Sequence, residues 1–354
     1  MDLGLGELQR TFERLAPADQ IVLASVVETR GSTYRKPGAM MLIESSGLTH
    51  GLLSGGCLEG DLAEHATSVL ATGQPSLITY DMLSGEEPPW GLGLGCQGLV
   101  RVLLTRIDAN DPVFTRLCHV HARRQRAMLL QVFQSDLADW QAGSLMLADG
   151  SGQWFGVPQS LEAKRLSAAL PTNRPDRAVE IELDTPQGRA RLLLVPIDPP
   201  RRLLVLGAGP DAVPLVRLAQ AIGWDVDVAD HRPAYIEQLL NKTACRANRL
   251  RPDQIDDSGL LARADAVVIM SHHLEHDRAW IARVAEHPVA YIGLLGPAAR
   301  RERVLEDIPE THHRRIHGPA GLDLGAELPE TIALSILAEA HAMLNDRDGR
   351  PLSS

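Results

Sequence analysis

The stretch RLLVLGAGPDAVPLVRLAQAIGWDVDVAD, residues 202–230, limits the possible folds more than any other part of the chain. It opens on a short apolar run without alternation, as expected of a parallel strand covered on both faces. The glycine turn Gly207-Ala208-Gly209-Pro210-Asp211-Ala212 follows directly, then apolar residues at helical spacing to about Ile222, then DVDVAD, ending at Asp230. A strand, a GxGxxA turn, a helix and a second strand closed by an acid about 20 residues on form a βαβ unit of the dinucleotide-binding type. ADAVVIM (264–270) and VAYIGLLG (289–296) supply further strand candidates, with helix-like stretches between them. The expected fold here is a Rossmann-like, doubly wound parallel sheet. Pro210 suits a first helical position, whereas Pro214 deletes a helix hydrogen bond and predicts an irregular start.

Proline-rich VPIDPPRR, residues 195–202, precedes this unit and marks a boundary. Two domains are expected, residues 1–198 and 199–354. The first has a different pattern. IVLASVVET (21–29), AMMLIE (39–44), HGLLS (50–54), SLITY and LVRVLLT read as strands, and CLEGDLAEHATSVLAT (57–72) reads as a helix. This is a mixed α/β domain whose strand order does not follow from the sequence.

The chain carries 35 Lys and Arg against 45 Asp and Glu, a formal charge of −10. Neither half is basic, so nucleic acid is not an expected partner. Aromatic residues, at 4%, are too few for an RNA-stacking surface or a carbohydrate platform. No apolar run approaches the roughly 20 residues of a membrane helix. MDLGLGELQRTFERL reads as an amphipathic helix, not a leader. Four cysteines in a chain of this size do not make a disulfide framework, which points to reduced thiols and a cytoplasmic location.

Three glycine-rich loops in the first domain adjoin strand candidates: GSTYRKPGA (31–39), LLSGGCLEG (52–60) and GLGLGCQG (91–98). They are positioned to meet at one sheet edge, where Gly55 and Gly56 would let backbone amides approach a ligand. Arg35 and Lys36 would face an anionic group, or form a solvated turn. Cys57 and Cys96 are the thiols set in such loops. A helix N-terminus favours a thiolate at Cys57, and Glu59 and Asp61 oppose it. The competing reading makes both cysteines small buried residues, which is the one expected for Cys118 and Cys245.

In the second domain SHHLEHD, residues 271–277, follows a strand at the edge where ligands bind in such sheets. On a helix His272 and His276 would share a face. A role towards a ligand, metal binding and helix capping are the three readings. Pro329 and Glu330 mark the start of a last amphipathic helix, preceded by a glycine-rich loop able to close over a ligand.

Together these segments resemble the XdhC/CoxI family of accessory factors of xanthine dehydrogenase and related molybdenum hydroxylases. The resemblance spans nearly the whole chain and rests on VVETRGSTYRKPGAMML, GLLSGGCLEGDLAEHA, LGLGCQGLVRVLL, LLVLGAGPDAVPLVRLAQAIGWDVDVADHRP, YIGLLGP and IHGPAGLDLGAELPETIALSILAE. It implies a factor that binds the molybdenum cofactor (molybdopterin, with or without a nucleotide), supports its sulfuration and inserts it into a hydroxylase apoenzyme, without turnover of its own. A cysteine desulfurase partner and a homodimer are implied too. Arg35, Lys36, Gly55, Gly56, Cys57, Cys96, Gln97, Gly207, Gly209, Asp230 and His272 are then the expected cofactor-binding residues, with Cys57 and Cys96 near the molybdenum. The chain departs from the family pattern at Gln97, where glycine is usual, at Tyr34, where proline is, and at Pro297-Ala298, where a Ser-Arg pair is common.

Two other functions fit parts of the pattern. An NAD(P)-dependent oxidoreductase would use Gly207, Gly209 and Asp230 for the cofactor, with His272, His273 or His276 as proton donor; Asp230 favours NAD, and Arg232 opposes that preference. A thiol enzyme or redox sensor using Cys57 and Cys96 would show a depressed thiol pKa or form a Cys57–Cys96 disulfide.

Overall fold

A computed structural model describes residues 4–82, 98–157, 166, 168–306 and 308–353. The chain divides into two compact units, Met1–Pro199 and Pro200–Ser354.

The first unit begins with α1 (Leu5–Phe12), β1 (Gln20–Gly31), β2 (Met40–Ile43), β3 (Thr49–Gly51), α2 (Glu59–Thr72), β4 (Ser76–Asp81) and β5 (Gly98–Asp108). The strands form an antiparallel sheet in the order β3-β2-β1-β5-β4. Apolar residues run without a break through β1 because both its faces are covered. Val22, Ala24 and Val26 pack under Leu62, Ala66 and Val69 of α2. Ile21, Leu23 and Val27 face a second core, which includes Leu8 and Phe12 of α1. The helix α2 ends at Gly73, whose φ of 71° is the left-handed C-cap conformation and whose N–H returns to Val69 O.

The unit continues through α3 (Pro112–Ala122), β6 (Ala127–Ser135), β7 (Leu145–Ala148), β8 (Trp154–Phe155), β9 (Val179–Thr185) and β10 (Gly188–Ile197). These strands make a second antiparallel sheet, β8-β7-β6-β10-β9. One face contributes Leu129, Phe133, Leu147, Leu193 and Val195 to the core that β1 and β5 also line. The other packs Leu130, Val132, Leu192 and Leu194 against Trp140.

The second unit contains β11 (Arg202–Leu206), α4 (Ala212–Ala221), β12 (Asp225–Asp230), α5 (Pro233–Leu240), β13 (Arg246–Arg249), β14 (Ala266–Ile269), α6 (Leu274–Val284), β15 (Tyr291–Leu294), α7 (Ala298–Leu305), α8 (Glu310–His313), β16 (Ile316–His317) and α9 (Pro329–Met343). Its strands are parallel in the order β13-β12-β11-β14-β15-β16. Leu203 and Val205 point to the face covered by α4 and α9, and Leu204 and Leu206 to the face covered by α6 and α7. This is the expected doubly wound sheet. The chain runs outward from β11 to β13 and returns to β14, so the order reverses between β11 and β14, where such sheets open a ligand crevice.

Pro214 is the third residue of α4. The first four N–H groups of a helix have no intrahelical acceptor, so this proline sacrifices nothing and the helix starts regularly. HGLLS is a strand only as far as Gly51. The helix expected from Cys57 begins at Glu59, which leaves the thiol in the preceding loop.

Candidate functional site

The strand register of the first sheet decides where the glycine loops go. Gly31 at the end of β1 pairs with Gly98 at the start of β5, and Gly51 at the end of β3 pairs with Met41 near the start of β2. The loops 32–39 and 52–58 therefore leave the same edge, where β5 begins at Gly98. They also touch. A Cβ on Gly98 would lie 2.5 Å from the Ser32 carbonyl oxygen, and one on Gly55 would meet the Tyr34 ring at 3.6 Å. Cys96 and Gln97 lie outside the described residues, so their positions and a Cys57–Cys96 bond are not defined.

The loop carrying Cys57 is organised by a residue that the sequence marks only as an unfavourable charge. The Glu59 carboxylate is 8% exposed and accepts hydrogen bonds from the N–H groups of Leu53 (2.9 Å), Ser54 (2.8 Å), Gly56 (3.0 Å) and Leu58 (3.2 Å), and from the Ser54 hydroxyl. Burial pushes this carboxyl up, but the hydrogen bonds from Ser54 and the loop N–H groups outweigh it and hold it below its ordinary value. Wound around that anion, the loop adopts φ of 86° and 107° at Gly55 and Gly56, and Cys57 stands exposed. The available signal was an acid in the first turn of a helix beside a glycine-rich loop. In the neighbouring loop Lys36 is exposed, its Nζ 3.2 Å from Thr33 Oγ1, and Arg35 is half-buried. Cys118, by contrast, is buried in the core under α3, where burial, with Glu13 nearby, pushes its thiol up to about 12.

In the second unit a cleft of about 870 Å³ opens at the ends of β11, β14 and β15. Asp211, Met270, His272, Gly296, Arg300 and the loop 319–327 contribute to its wall. That loop is tied down at its root. Glu339 of α9 accepts the Gly321 N–H (2.8 Å), the Tyr291 hydroxyl (2.6 Å) and a bond from His317 Nδ1 (3.0 Å), and the Ser335 hydroxyl donates to Leu322 O. Arg300, just after the Pro297-Ala298 pair in the chain, is committed to the buried carboxylate of Asp277 at 2.5 and 3.0 Å; Arg301 donates to Ile316 O.

Asp230 ends β12 as expected, but its carboxylate does not face outward. It is 3% exposed. Oδ2 accepts the Ala208 N–H (2.8 Å) and an Arg232 guanidinium N–H (2.7 Å), and Oδ1 accepts the Arg232 backbone N–H and Nε–H, both at 2.9 Å. Burial pushes the carboxyl up, while these bonds more than compensate and hold it low. A carboxylate has about four acceptor positions. All are filled from within the unit, so Asp230 braces the glycine turn and has nothing left to offer a ribose.

The histidines do not share a helical face. His272 precedes α6, with φ of 61°, and its Nε2 lies 2.7 Å from Asp211 Oδ2. His273 is the N-cap of α6, accepting from the His276 N–H at 3.4 Å. His276 packs edge-on against His231, and burial together with the neighbouring His231 and His273 lowers its pKa. Among the described residues no group of three or more His, Cys, Asp or Glu side chains is arranged to hold a metal ion.

Residues 203–340 match the family model described as the XdhC Rossmann domain, and residues 15–81 match that of the XdhC and CoxI family. A Bacillus subtilis protein, named as a probable xanthine dehydrogenase subunit, is 33% identical over 330 residues, 92% of this chain and 93% of its own. The chain belongs to the XdhC and CoxI family. The Escherichia coli molybdenum cofactor insertion chaperone PaoD is 25% identical over 342 residues, 94% of this chain and 86% of its own. A crystal structure from Bacillus halodurans, described as that of a xanthine dehydrogenase, superimposes with a TM-score of 0.79 at 28% identity, covering 100% of this chain and 98% of that one. The stretch GLLSGGCLEGD, which Glu59 organises, lies inside the XdhC and CoxI match, and the Rossmann match ends at Ala340, beside Glu339.

Proposed function

We propose that the protein is a maturation factor that binds a molybdenum cofactor and delivers it to a molybdenum hydroxylase of the xanthine dehydrogenase type, without turnover of its own. The observation that carries this reading is the exposed thiol of Cys57, presented on a loop that Glu59 fixes from beneath. Thiolates are soft ligands, suited to a soft metal and its sulfur. Arg35 and Lys36 stand in the loop at the same sheet edge, the right charge for an anionic ligand. Positive φ at Gly55 and Gly56 keeps this stretch free of side chains, and a Cβ on Gly56 would meet nothing within 4 Å, so a bulky ligand has room to approach the backbone. The donor set therefore fits the cofactor. Cys57, Gly55, Gly56, Arg35 and Lys36 would hold it, and the sequence adds Cys96 and Gln97, just before Gly98 in the chain, as further candidates. When bound, the cofactor supplies the molybdenum centre that the target enzyme needs; this chain supplies the thiol, the cations and the shape.

The relative named as a molybdenum cofactor insertion chaperone, which aligns with 94% of the chain, supports the reading. Sulfuration with a cysteine desulfurase, a homodimer and a cytoplasmic setting complete it; no helix among the described residues is long and apolar enough to cross a membrane. His272, Gly207 and Gly209 would act by shaping the wall of the cleft in the second unit rather than by holding a phosphate. An NAD(P)-dependent oxidoreductase has less support, because the acceptor positions of Asp230 are filled and His272 is bonded to Asp211.

Cofactor retention tests the proposal. The anaerobically purified protein is incubated with a molybdenum-cofactor source, desalted, and assayed for molybdenum and oxidised-pterin fluorescence. The wild type is expected to keep both, and Cys57→Ser to lose most of both. Retention of neither by the wild type would sink the function; equal retention by Cys57→Ser would remove the thiol from it.

A further inference from the structure

The turn after β11 has the outline of a phosphate cradle, but most of its amides are already used inside the fold. The Gly207 N–H goes to Ala229 O (2.9 Å), the Ala208 N–H to Asp230 (2.8 Å) and the Ala212 N–H to Gly209 O (3.0 Å). Pro210 has no N–H. Only the amides of Gly209 and Asp211 are not spent inside the turn. In a phosphate-binding turn the second glycine leaves its surface bare so that the backbone can approach the anion. Here that surface is covered. Asp211 Oδ1 lies 2.6 Å from where a Cβ of Gly209 would sit, and the other carboxylate oxygen is held 2.7 Å from His272 Nε2. Asp211 stands at the N-cap of α4 without a side-chain capping hydrogen bond, so its carboxylate places a negative charge at that helix end, where a phosphate would otherwise be drawn. His272 reaches Asp211 from a backbone with φ of 61°, a conformation a side-chain-bearing residue adopts at a cost. A phosphate placed on this turn would meet a fixed carboxylate. Arg300, in the cleft wall, is already paired with Asp277.

We propose that Asp211, held by His272, is a specificity-determining residue that closes the cleft of the second unit to nucleotide phosphates. The unit keeps the dinucleotide-binding fold and excludes dinucleotides. Any ligand entering the cleft does so with a part other than a phosphate, the group facing Asp211 being neutral or a hydrogen-bond donor. This goes beyond the maturation reading, since it concerns the selectivity of the cleft whatever larger ligand the protein carries.

The test uses the full chain and two probes, ADP and NADH, titrated calorimetrically against the wild type, Asp211→Asn, Asp211→Ser and Asp211→Glu. Thermal melting shows which variants are folded. Asp211→Asn and Asp211→Ser are expected to bind ADP at least about tenfold more tightly than the wild type, a difference of about 1.4 kcal/mol. Asp211→Glu, which keeps the charge, should stay as weak as the wild type. A wild type that binds either probe as tightly as Asp211→Asn overturns the proposal. So does the absence of any gain in folded Asp211→Asn and Asp211→Ser. The titration needs no molybdenum cofactor, so its failure and the failure of cofactor retention are separate results.

Discussion

At the scale of single residues, three acids, two buried and one half-buried, serve as templates for loops. Glu59 gathers the N–H groups of Leu53, Ser54, Gly56 and Leu58. Asp230 gathers Ala208 and Arg232, and Glu339 gathers Gly321, Tyr291 and His317. In each, burial alone would raise the pKa and hydrogen bonding reverses the sign. A carboxyl whose folded pKa is depressed contributes stability above its unfolded value and loses it as pH falls through the folded one. For Glu59 the contribution is complete above the ordinary value of 4.5 and is lost below it. Glu59→Gln offers one acceptor oxygen where two are used, and should cost about 2–3 kcal/mol, read as a lower urea midpoint at neutral pH. The difference between variant and wild type should shrink as the pH is taken below 4.5. A variant with an unchanged midpoint at neutral pH would show that the carboxylate does not hold the loop.

At the scale of elements, the passage from β11 into its glycine turn depends on backbone meeting backbone. A Cβ on Gly207 would lie 2.5 Å from the Met270 carbonyl oxygen and 2.7 Å from its carbon, at the end of the neighbouring strand β14, and Gly207 has a φ of 126°. Neither obstacle can be relieved by a rotamer change. Gly207→Ala should therefore cost about 3 kcal/mol or more. Gly259 also has a positive φ, of 67°, but faces open space, so Gly259→Ala should cost only about 1 kcal/mol. Thermal melting of the two variants side by side checks this, and equal losses would mean that the strand contact is not tight. The same packing explains why β14 follows β11 in space: Leu203 to Leu206 pair with Ala266 to Ile269, and both strands are buried on both faces.

At the scale of the whole molecule, each unit closes its own cores. The first has the core between α2 and its sheet, the core shared by α1, α3 and both sheets, and the core around Trp140. The second has one core on each face of its parallel sheet. Residues 1–199 and 200–354, expressed separately, are therefore expected to fold. Far-UV circular dichroism and cooperative thermal unfolding of each piece check this; a piece that unfolds without a cooperative transition would show that the boundary cuts through a folding unit.

Much of this was legible in the sequence because it is written in local patterns. The unbroken apolar run of β11, the glycine turn, the helical spacing of α4 and the acid at Asp230 lie within 30 residues of one another, and each period forces one type of element. The glycine loops of the first unit and the family resemblance were equally readable. The order of the antiparallel sheets was not, since register depends on which distant strand covers which face. Nor was the state of the site residues. Asp230 and a free acid look alike in a sequence; what separates them is that Ala208 and Arg232 reach it before any ligand does. His272 and Asp211 are 61 positions apart and meet only because β11 and β14 are neighbours. Residue order was enough to dictate the elements and the chemistry available at each loop, because periodicity and turn residues act over short range. Which of those groups are satisfied internally, and which, like Cys57, remain exposed, was set by the folded arrangement, because hydrogen bonding and burial are settled by neighbours in space.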